Sequence, residues 1–298
     1  MDLKRIEIFC KIVDLKSFTR AAEEVRLAQP TVSEHIRLLE EDLGEKLLER
    51  SGRSVQLTPA GQVFHQYARR LLLLRDEAQQ ALAAFRGDLR GKLLIGASTI
   101  PGAYLLPEHL QRFKAKHPAI DLSLKIASTQ QTLSDLLDGK LELALSGAKS
   151  RHTQLEFTPL AKDQLILVVN SRHPWVLRPR IAPQQLREQP FILREEGSGT
   201  RSTMTEALQV LGIRLTELPV VAEMGNNEAV REAVKAGIGA AVVSRRAVAE
   251  ELAAGTLETI AVKGLKMTRD IYLVRHQRRS LSPLAEAFFR YLLAQNFG

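Results

Sequence analysis

Six polar side chains fall within nine residues near the start of the chain: Gln29, Thr31, Ser33, Glu34, His35 and Arg37. Amides, hydroxyls and a guanidinium are the groups that hydrogen-bond to the edges of stacked base pairs. Four later segments set hydroxyls and amides among small residues. They are Ala97-Ser98-Thr99, Ala127-Ser128-Thr129-Gln130, Gly197-Ser198-Gly199-Thr200-Arg201 and Gly225-Asn226-Asn227. At a helix start, such groups join free backbone N–H donors that favour an anion. Taken singly, each segment is an ordinary helix cap. Together, with a Gly-Ser-Gly turn before an arginine, they point to a small-molecule site.

The first polar cluster needs a helix to present it. Leu3, Ile6, Cys10 and Val13 recur at helical spacing and predict a first amphipathic helix. Ser17 caps a second, Phe18 to Val25, whose Ala21, Ala22 and Val25 face inward and allow a close helix crossing. After the turn Arg26-Leu27-Ala28, a third helix opens at Pro30 and buries Val32, Ile36, Leu39 and Leu43. Its opposite face carries the polar cluster. Three short helices with a tight turn before the third make a helix-turn-helix, whose third helix enters the major groove of double-stranded DNA. Leu48 to Thr58 reads as two strands turned at Ser51-Gly52, a wing that places Arg50 and Arg53 against phosphates. The expected contact set is Gln29, Pro30, Thr31, Ser33, His35, Arg37, Arg50 and Arg53. The alternative from periodicity alone is a small three-helix interaction domain with a solvated polar face.

Thr58 and Pro59 start a helix that runs without a breaker to about Arg86, a span of roughly 40 Å. Val63, Tyr67, Leu71, Leu74, Ala78, Ala81 and Phe85 recur at steps of four and three, a seam for a partner helix. Arg86-Gly87-Asp88-Leu89-Arg90-Gly91 reads as a hinge. From Lys92 onward short apolar strands (Leu93 to Gly96, Leu122 to Ile126, Leu143 to Leu145, Leu165 to Val169, Pro190 to Leu193, Ala240 to Val243, Ile271 to Val274) alternate with helices. Those helices are Pro107 to His117, Gln130 to Asp138, Thr203 to Leu211 and Glu228 to Ala236. This is an α/β arrangement with largely parallel sheets, whose ligands bind beyond the strand C-termini.

At 298 residues the chain suits two or three compact units. Its net charge is +8, but residues 1–90 hold 15 basic against 14 acidic side chains, whereas residues 91–298 hold 27 against 20. DNA binding must therefore come from charges gathered on one face, and the surplus belongs to the C-terminal part. A single cysteine, Cys10, excludes an internal disulfide and a multi-cysteine metal site, and fits a reducing cytoplasm. The start lacks the apolar core of a secretory signal, and no apolar run is long enough to span a bilayer. The seven histidines, at 35, 65, 109, 117, 152, 173 and 276, show no His-x-x-x-His spacing for zinc. There is no Gly-x-Ser-x-Gly elbow around Ser198 and no phosphate loop ending in Gly-Lys-Ser/Thr. Catalysis, metals and cofactors are not expected. A periplasmic solute-binding protein, the other rival, conflicts with the winged helix and the missing signal.

The segment from Ser17 to Gly61 resembles the LysR-type transcriptional regulators. The match rests on Ser-Phe-Thr-x-Ala-Ala, Gln29-Pro30-Thr31-Val32-Ser33, Leu39-Glu40, Leu43-Gly44, Glu49-Arg50 and Leu57-Thr58-Pro59-Ala60-Gly61. One departure is Glu34, where many members carry Arg; an acid there could accept from cytosine N4. The resemblance implies sequence-specific DNA binding, an antiparallel linker-helix pair joining a homodimer, pairing of dimers into a tetramer, and RNA polymerase as a further partner. It also implies a two-lobed effector domain like that of periplasmic binding proteins. The expected domains are a winged helix-turn-helix (1–58), a linker helix and hinge (59–90), and an effector domain (91–298). Within the last, lobe I covers about 91–163 plus 275–298 and lobe II about 164–274. Ser98, Thr99, Ser128, Thr129, Gln130, Thr200, Arg201 and Asn226 are expected to line the effector pocket, with Glu196 pointing away. The stretches from Ile95 to Pro107, Ile192 to Arg201 and Glu223 to Val248 are most similar to the sulfur-assimilation subgroup. The basic surplus of residues 91–298 and the hydroxyl-bearing helix starts predict a small anionic effector, and that similarity narrows it to sulfite or a related oxyanion.

Overall fold

The computed structural model describes residues 2–51, 54–85 and 89–297, which form two compact units, the second beginning at Leu89. The expected hinge residues 86–88 and the wing tip at Gly52 and Arg53 lie outside the described residues.

The first unit holds α1 (Leu3–Leu15), α2 (Phe18–Val25), α3 (Gln29–Leu43), the hairpin β1 (Leu48–Ser51) and β2 (Ser54–Leu57), and α4 (Pro59–Phe85). α1 and α2 start at side-chain caps, whereas α3 opens on Pro30 with no side-chain cap. Asp2 accepts from the Lys4 N–H at 3.0 Å and Ser17 from the Arg20 N–H at 3.3 Å. Lys16 and Arg26 follow α1 and α2 in the left-handed region, at φ of 51° and 56°. Ile6, Phe9, Cys10, Ala21, Ala22, Val32, Ile36 and Leu39 make the core, and Phe64, Ala68, Leu71 and Leu72 of α4 pack onto it. Leu43 departs from expectation and is exposed, because α3 ends there at Gly44 (φ +71°), beyond the helix crossing.

The join between hairpin and α4 depends on one contact. The ideal Cβ of any larger residue at Gly61 would lie 2.0 Å from the Leu47 carbonyl oxygen, so only glycine lets the helix come so close. Thr58 Oγ donates to the Lys46 carbonyl (2.6 Å) and accepts from the Gly61 N–H (2.9 Å), capping α4 while holding the chain before β1. The run Leu57-Thr58-Pro59-Ala60-Gly61 thereby sets the angle at which α4 leaves the hairpin.

The second unit contains β3 (Gly91–Ser98), α5 (Leu106–Lys116), β4 (Ile120–Ala127), α6 (Thr129–Leu137), β5 (Leu143–Ser146), β6 (Leu155–Asn170), β7 (Phe191–Arg194) and α7 (Gly199–Val210). It continues with β8 (Val220–Met224), α8 (Asn227–Lys235), β9 (Ala240–Ser244), α9 (Ala249–Ala253), β10 (Leu257–Ile260), β11 (Met267–His276) and α10 (Pro283–Leu293). One sheet runs in the order β4-β3-β5-β11-β6-β9-β7-β8, with β10 also paired to β6. β3 is parallel to β4 and β5, and β7 is parallel to β8 and β9. Every pairing that involves β6 or β11 is antiparallel. The expectation of a largely parallel sheet therefore holds only within each half. Two long antiparallel strands pass between the halves and join them into a two-lobed α/β body. Their register shifts between Ile271, opposite Ala161, and Tyr272, opposite Pro159; Leu160 is the extra residue of a bulge beside Pro159, which has no N–H to give the ladder.

Each lobe has its own core. Leu93, Ile95, Phe113, Ile120, Leu143 and Leu145 pack with Leu273, Leu284, Phe288 and Leu292 in the first. Leu165, Leu167, Trp175, Phe191, Met204, Leu208, Val242 and Met267 pack in the second. Among the described residues no helix is long and apolar enough to cross a membrane.

Candidate functional site

Two surfaces gather the polar residues singled out in the sequence. On the first, α3 exposes Pro30 and Thr31 and leaves Gln29 and Ser33 half-buried, with Gln29 Nε2 donating to Ser33 Oγ at 2.9 Å. That bond joins consecutive turns of one helix face and gives the two side chains a common orientation. Arg37 is exposed but not free. Its guanidinium is held by Glu34 (2.5 Å) and by Glu41 on the same helix. The bond from Arg37 draws the Glu34 carboxyl below its ordinary range, so the acid that departs from the family pattern is already paired. His35 corrects the expectation of a solvent-facing side chain. It is half-buried, and its Nδ1 is sealed from solvent with no hydrogen-bond partner. Arg50 lies on β1 opposite Val55, its side chain outside the described residues, as is all of Arg53.

Glu40 figured in the sequence only as part of the family match, without a role, and it anchors this surface. Buried on α3, it accepts from the Leu47 N–H (2.9 Å), the Leu48 N–H (3.2 Å) and Lys46 Nζ (2.8 Å). One carboxylate thus ties the start of β1 to the recognition helix. Only its place beside the apolar Leu39 stripe hinted at burial.

The second surface is the crevice between the lobes. Ser98, at the end of β3, is buried and accepts from the Gly147 N–H beyond β5 at 3.0 Å. Thr99 Oγ accepts from Asn227 Nδ2 at 3.1 Å, and the Gln130 N–H donates to the Gly197 carbonyl at 3.2 Å. Both bonds pass from one lobe to the other. Thr129 and Thr200 are buried in the first turns of α6 and α7. A Cβ on Gly199 would stand 2.9 Å from Thr129 Oγ, so those two helix starts face each other closely. Gly197 holds a φ of +83°, and a Cβ there would meet Gln130 Oε1 at 2.6 Å.

The remaining expected residues have other partners. Ser128 Oγ caps α6 by accepting from the Gln131 N–H (3.2 Å), and exposed Asn226 caps α8 by accepting from the Ala229 N–H (2.7 Å). Arg201 donates to the Arg194 carbonyl (2.9 Å) and to Glu223 (2.6 Å), with Glu196 at 3.8 Å. It is therefore committed to the edge of lobe II. Glu196 itself is 89% exposed.

Three groups that the sequence reading passed over carry the electrostatics. Arg269 on β11 is buried, with Nε and Nη2 donating to Asp163 Oδ2 of β6 at 2.9 and 2.8 Å. Asp163 Oδ1 accepts from Ser244 Oγ at 2.6 Å. Nη1 of Arg269 turns toward the crevice: Cβ atoms at Gly147 and Gly199 would approach it to 3.1 and 3.3 Å. Burial pulls Arg269 below the ordinary guanidinium value while Asp163 acts in the opposite sense. Arg194, buried at the end of β7, donates to Glu195 (2.7 and 2.8 Å) and to Asn227 Oδ1, the residue that reaches Thr99. The alternation Met267, Arg269, Ile271, Leu273 was the available signal, since it sets an arginine on an apolar inward stripe.

A winged helix joined by a long helix to such a two-lobed crevice matches two family models. Residues 3–62 match the bacterial regulatory helix-turn-helix protein of the lysR family, and residues 86–296 match the LysR substrate binding domain. The chain belongs to the LysR family of transcriptional regulators. This LysR-family chain is 34% identical to the RuBisCO operon transcriptional regulator of Allochromatium vinosum, over 99% of its own length and 96% of the relative's. It is 31% identical to the HTH-type transcriptional activator CmpR of a Synechocystis strain, over 99% and 95%. The CcmR regulatory domain of Synechocystis, solved in complex with 2-PG, is similar at 26% identity and a TM-score of 0.63. It aligns with 69% of this LysR regulator and 97% of that domain. The protein is thus a DNA-binding transcriptional regulator with an effector-binding domain. One of these relatives is named as a RuBisCO operon regulator and another as the transcriptional activator CmpR, so the similarity to the sulfur-assimilation subgroup finds no support among them.

Proposed function

We propose that the regulator reads a dyad-symmetric operator as a homodimer and responds to a small anion held in the crevice. Gln29, Pro30, Thr31 and Ser33 reach base edges, and the wing arginines Arg50 and Arg53 neutralise phosphates. Arg37, already bound by two carboxylates, contributes less to phosphate binding than its charge suggests. Residues 1–58 bind DNA, 59–90 join two subunits, and 91–298 take the effector, in a protein that works in the cytoplasm. Pairing of dimers into a tetramer and contact with RNA polymerase complete the reading.

The anionic class rests on one observation, the buried Arg269 whose Nη1 faces the crevice between two glycines. A guanidinium withdrawn from water is worth keeping where an anion meets it, and the start of α7 adds N–H donors beside Thr129 and Thr200. Because direct bonds join the lobes at Thr99–Asn227 and Gln130–Gly197, an effector must replace or bridge them, which makes its presence felt by both lobes.

Calorimetric titration of the full-length protein with 2-PG, phosphate, sulfate, sulfite and small carboxylates tests this. One of these anions should bind. Thr99→Val with Thr129→Val should weaken that binding at least tenfold while leaving the unfolding temperature nearly unchanged. Binding of neutral or aromatic metabolites alone would overturn the anionic reading. Retention of sulfite binding with no response to the other anions would restore the sulfur reading.

A further inference from the structure

Lobe II carries a second cationic recess. β6 changes neighbours part-way along: Leu165 pairs with Met267 of β11, whereas Leu167 pairs with Ile260 of β10. The chain between those two strands leaves the sheet in a turn closed by the Leu265 N–H on the Val262 carbonyl (3.2 Å), with Gly264 at a φ of +77°. This fork opens a groove of about 630 Å³, a size usual for small-molecule sites.

Arg180, Arg245 and Lys266 line the groove, together with Gln164, Thr259 and Thr268, and no carboxylate does. All three cations are exposed, and among the described residues none makes an ion pair. Other arginines of the same lobe do find acids: Arg187 and Arg214 share Glu217, and Arg231 reaches Glu251 at 3.2 Å. Three like charges around one recess repel one another unless an anion sits among them, and a cleft of one sign concentrates counter-ions. Hydroxyls and an amide add neutral hydrogen-bonding groups.

The groove is distinct from the crevice. Gln164 and Thr268 form the register pair next to Asp163 and Arg269, so their side chains leave the opposite face of the same two strands.

We infer that this groove binds a compact polyanion carrying at least two phosphate or carboxylate groups. The site is independent of the effector reading, and its occupant lies one residue along the strands from the Asp163–Arg269 pair. The part of the C-terminal charge surplus that finds no acid partner thereby acquires a place.

Titration with inorganic pyrophosphate in low salt decides the matter. The starting protein carries Thr99→Val and Thr129→Val, the pair expected to weaken binding in the crevice. Pyrophosphate should still bind to this protein through the groove, and more tightly than inorganic phosphate. Adding Arg180→Gln and Arg245→Gln should weaken it at least tenfold with circular dichroism and unfolding temperature unchanged. Adding Arg112→Gln and Arg290→Gln instead, the same loss of charge on exposed helices of lobe I, should change it less than twofold. No binding in the starting protein, an undiminished affinity after the groove changes, or equal weakening by the lobe I pair would each overturn the assignment. So would a groove variant that weakens binding of a scrambled DNA duplex while pyrophosphate binding persists, since the patch would then serve nucleic acid.

Discussion

Glu40 satisfies two backbone N–H groups that have no other acceptor as the chain turns from α3 into β1. Removing it leaves both donors unpaired in a partly buried place, where each orphan costs about 1–3 kcal/mol. Glu40→Ala should therefore destabilise the N-terminal unit by about 2–4 kcal/mol on that basis, measured by denaturant unfolding, and Glu40→Gln should recover part through its amide oxygen. His109 supplies a pH dependence. It is buried with Nδ1 unpartnered, and burial lowers its pKa below the ordinary imidazole value; burial likewise lowers His65 and His173. In each case the unfolded chain takes up a proton more readily than the fold does. Stability is undiminished above about pH 6.5, the unfolded value, and falls as pH drops below it toward the depressed folded values. Thermal unfolding temperatures should fall between pH 7.5 and 5.5, and His109→Gln should make that fall shallower. An unchanged slope would show that His109 is protonated equally in both states.

At the scale of elements, α4 has two faces with different duties. Phe64, Ala68, Leu71 and Leu72 look into the core of the N-terminal unit, with the Phe9 and Phe64 rings 5.3 Å apart. Val63, Tyr67, Leu74 and Leu82 stand 57–64% exposed along the rest of the helix. Leu71, read from the sequence as part of the intersubunit seam, belongs partly to the inner face. Leu74→Asp with Leu82→Asp is accordingly the informative change. It should shift sedimentation at micromolar concentration toward the monomer and weaken operator binding at least tenfold, while the unit keeps its unfolding temperature. A Leu71→Asp change would confound assembly with folding. The same scale shows what the sequence disclosed. A helix with one apolar stripe and a polar cap, such as α2 after Ser17, was legible to the residue, whereas α1 was read only as a stripe whose first member, Leu3, is exposed. β6 was read only from Leu165 to Val169, because Glu156, Pro159, Lys162 and Asp163 break the apolar run; pairing with β11, not hydrophobicity, keeps its first half extended. α7 starts four residues before the helix read at Thr203, since Gly199 looks like a turn until its close approach to Thr129 is seen. In the crevice the hydroxyls at strand ends were visible, but the Asp163–Arg269 pair was not. Its members are 106 residues apart and meet only through strand register.

For the molecule as a whole, the two shared strands decide the order in which a growing chain can close its cores. The core of lobe II draws on residues from Leu165 to Met267, one uninterrupted stretch. The core of lobe I begins with Leu93 and Ile95 yet needs Leu273 on β11 and Leu284, Phe288 and Leu292 of α10. During synthesis the earlier-made lobe must therefore wait with its apolar side chains uncovered until the later one has passed the ribosome. A chain ending at Asp270, which keeps Met267 but lacks Leu273 and α10, should yield a protease-resistant fragment from lobe II and none from lobe I. The half that is made first is the half that finishes last, and it is the one that needs a chaperone's cover in the interval.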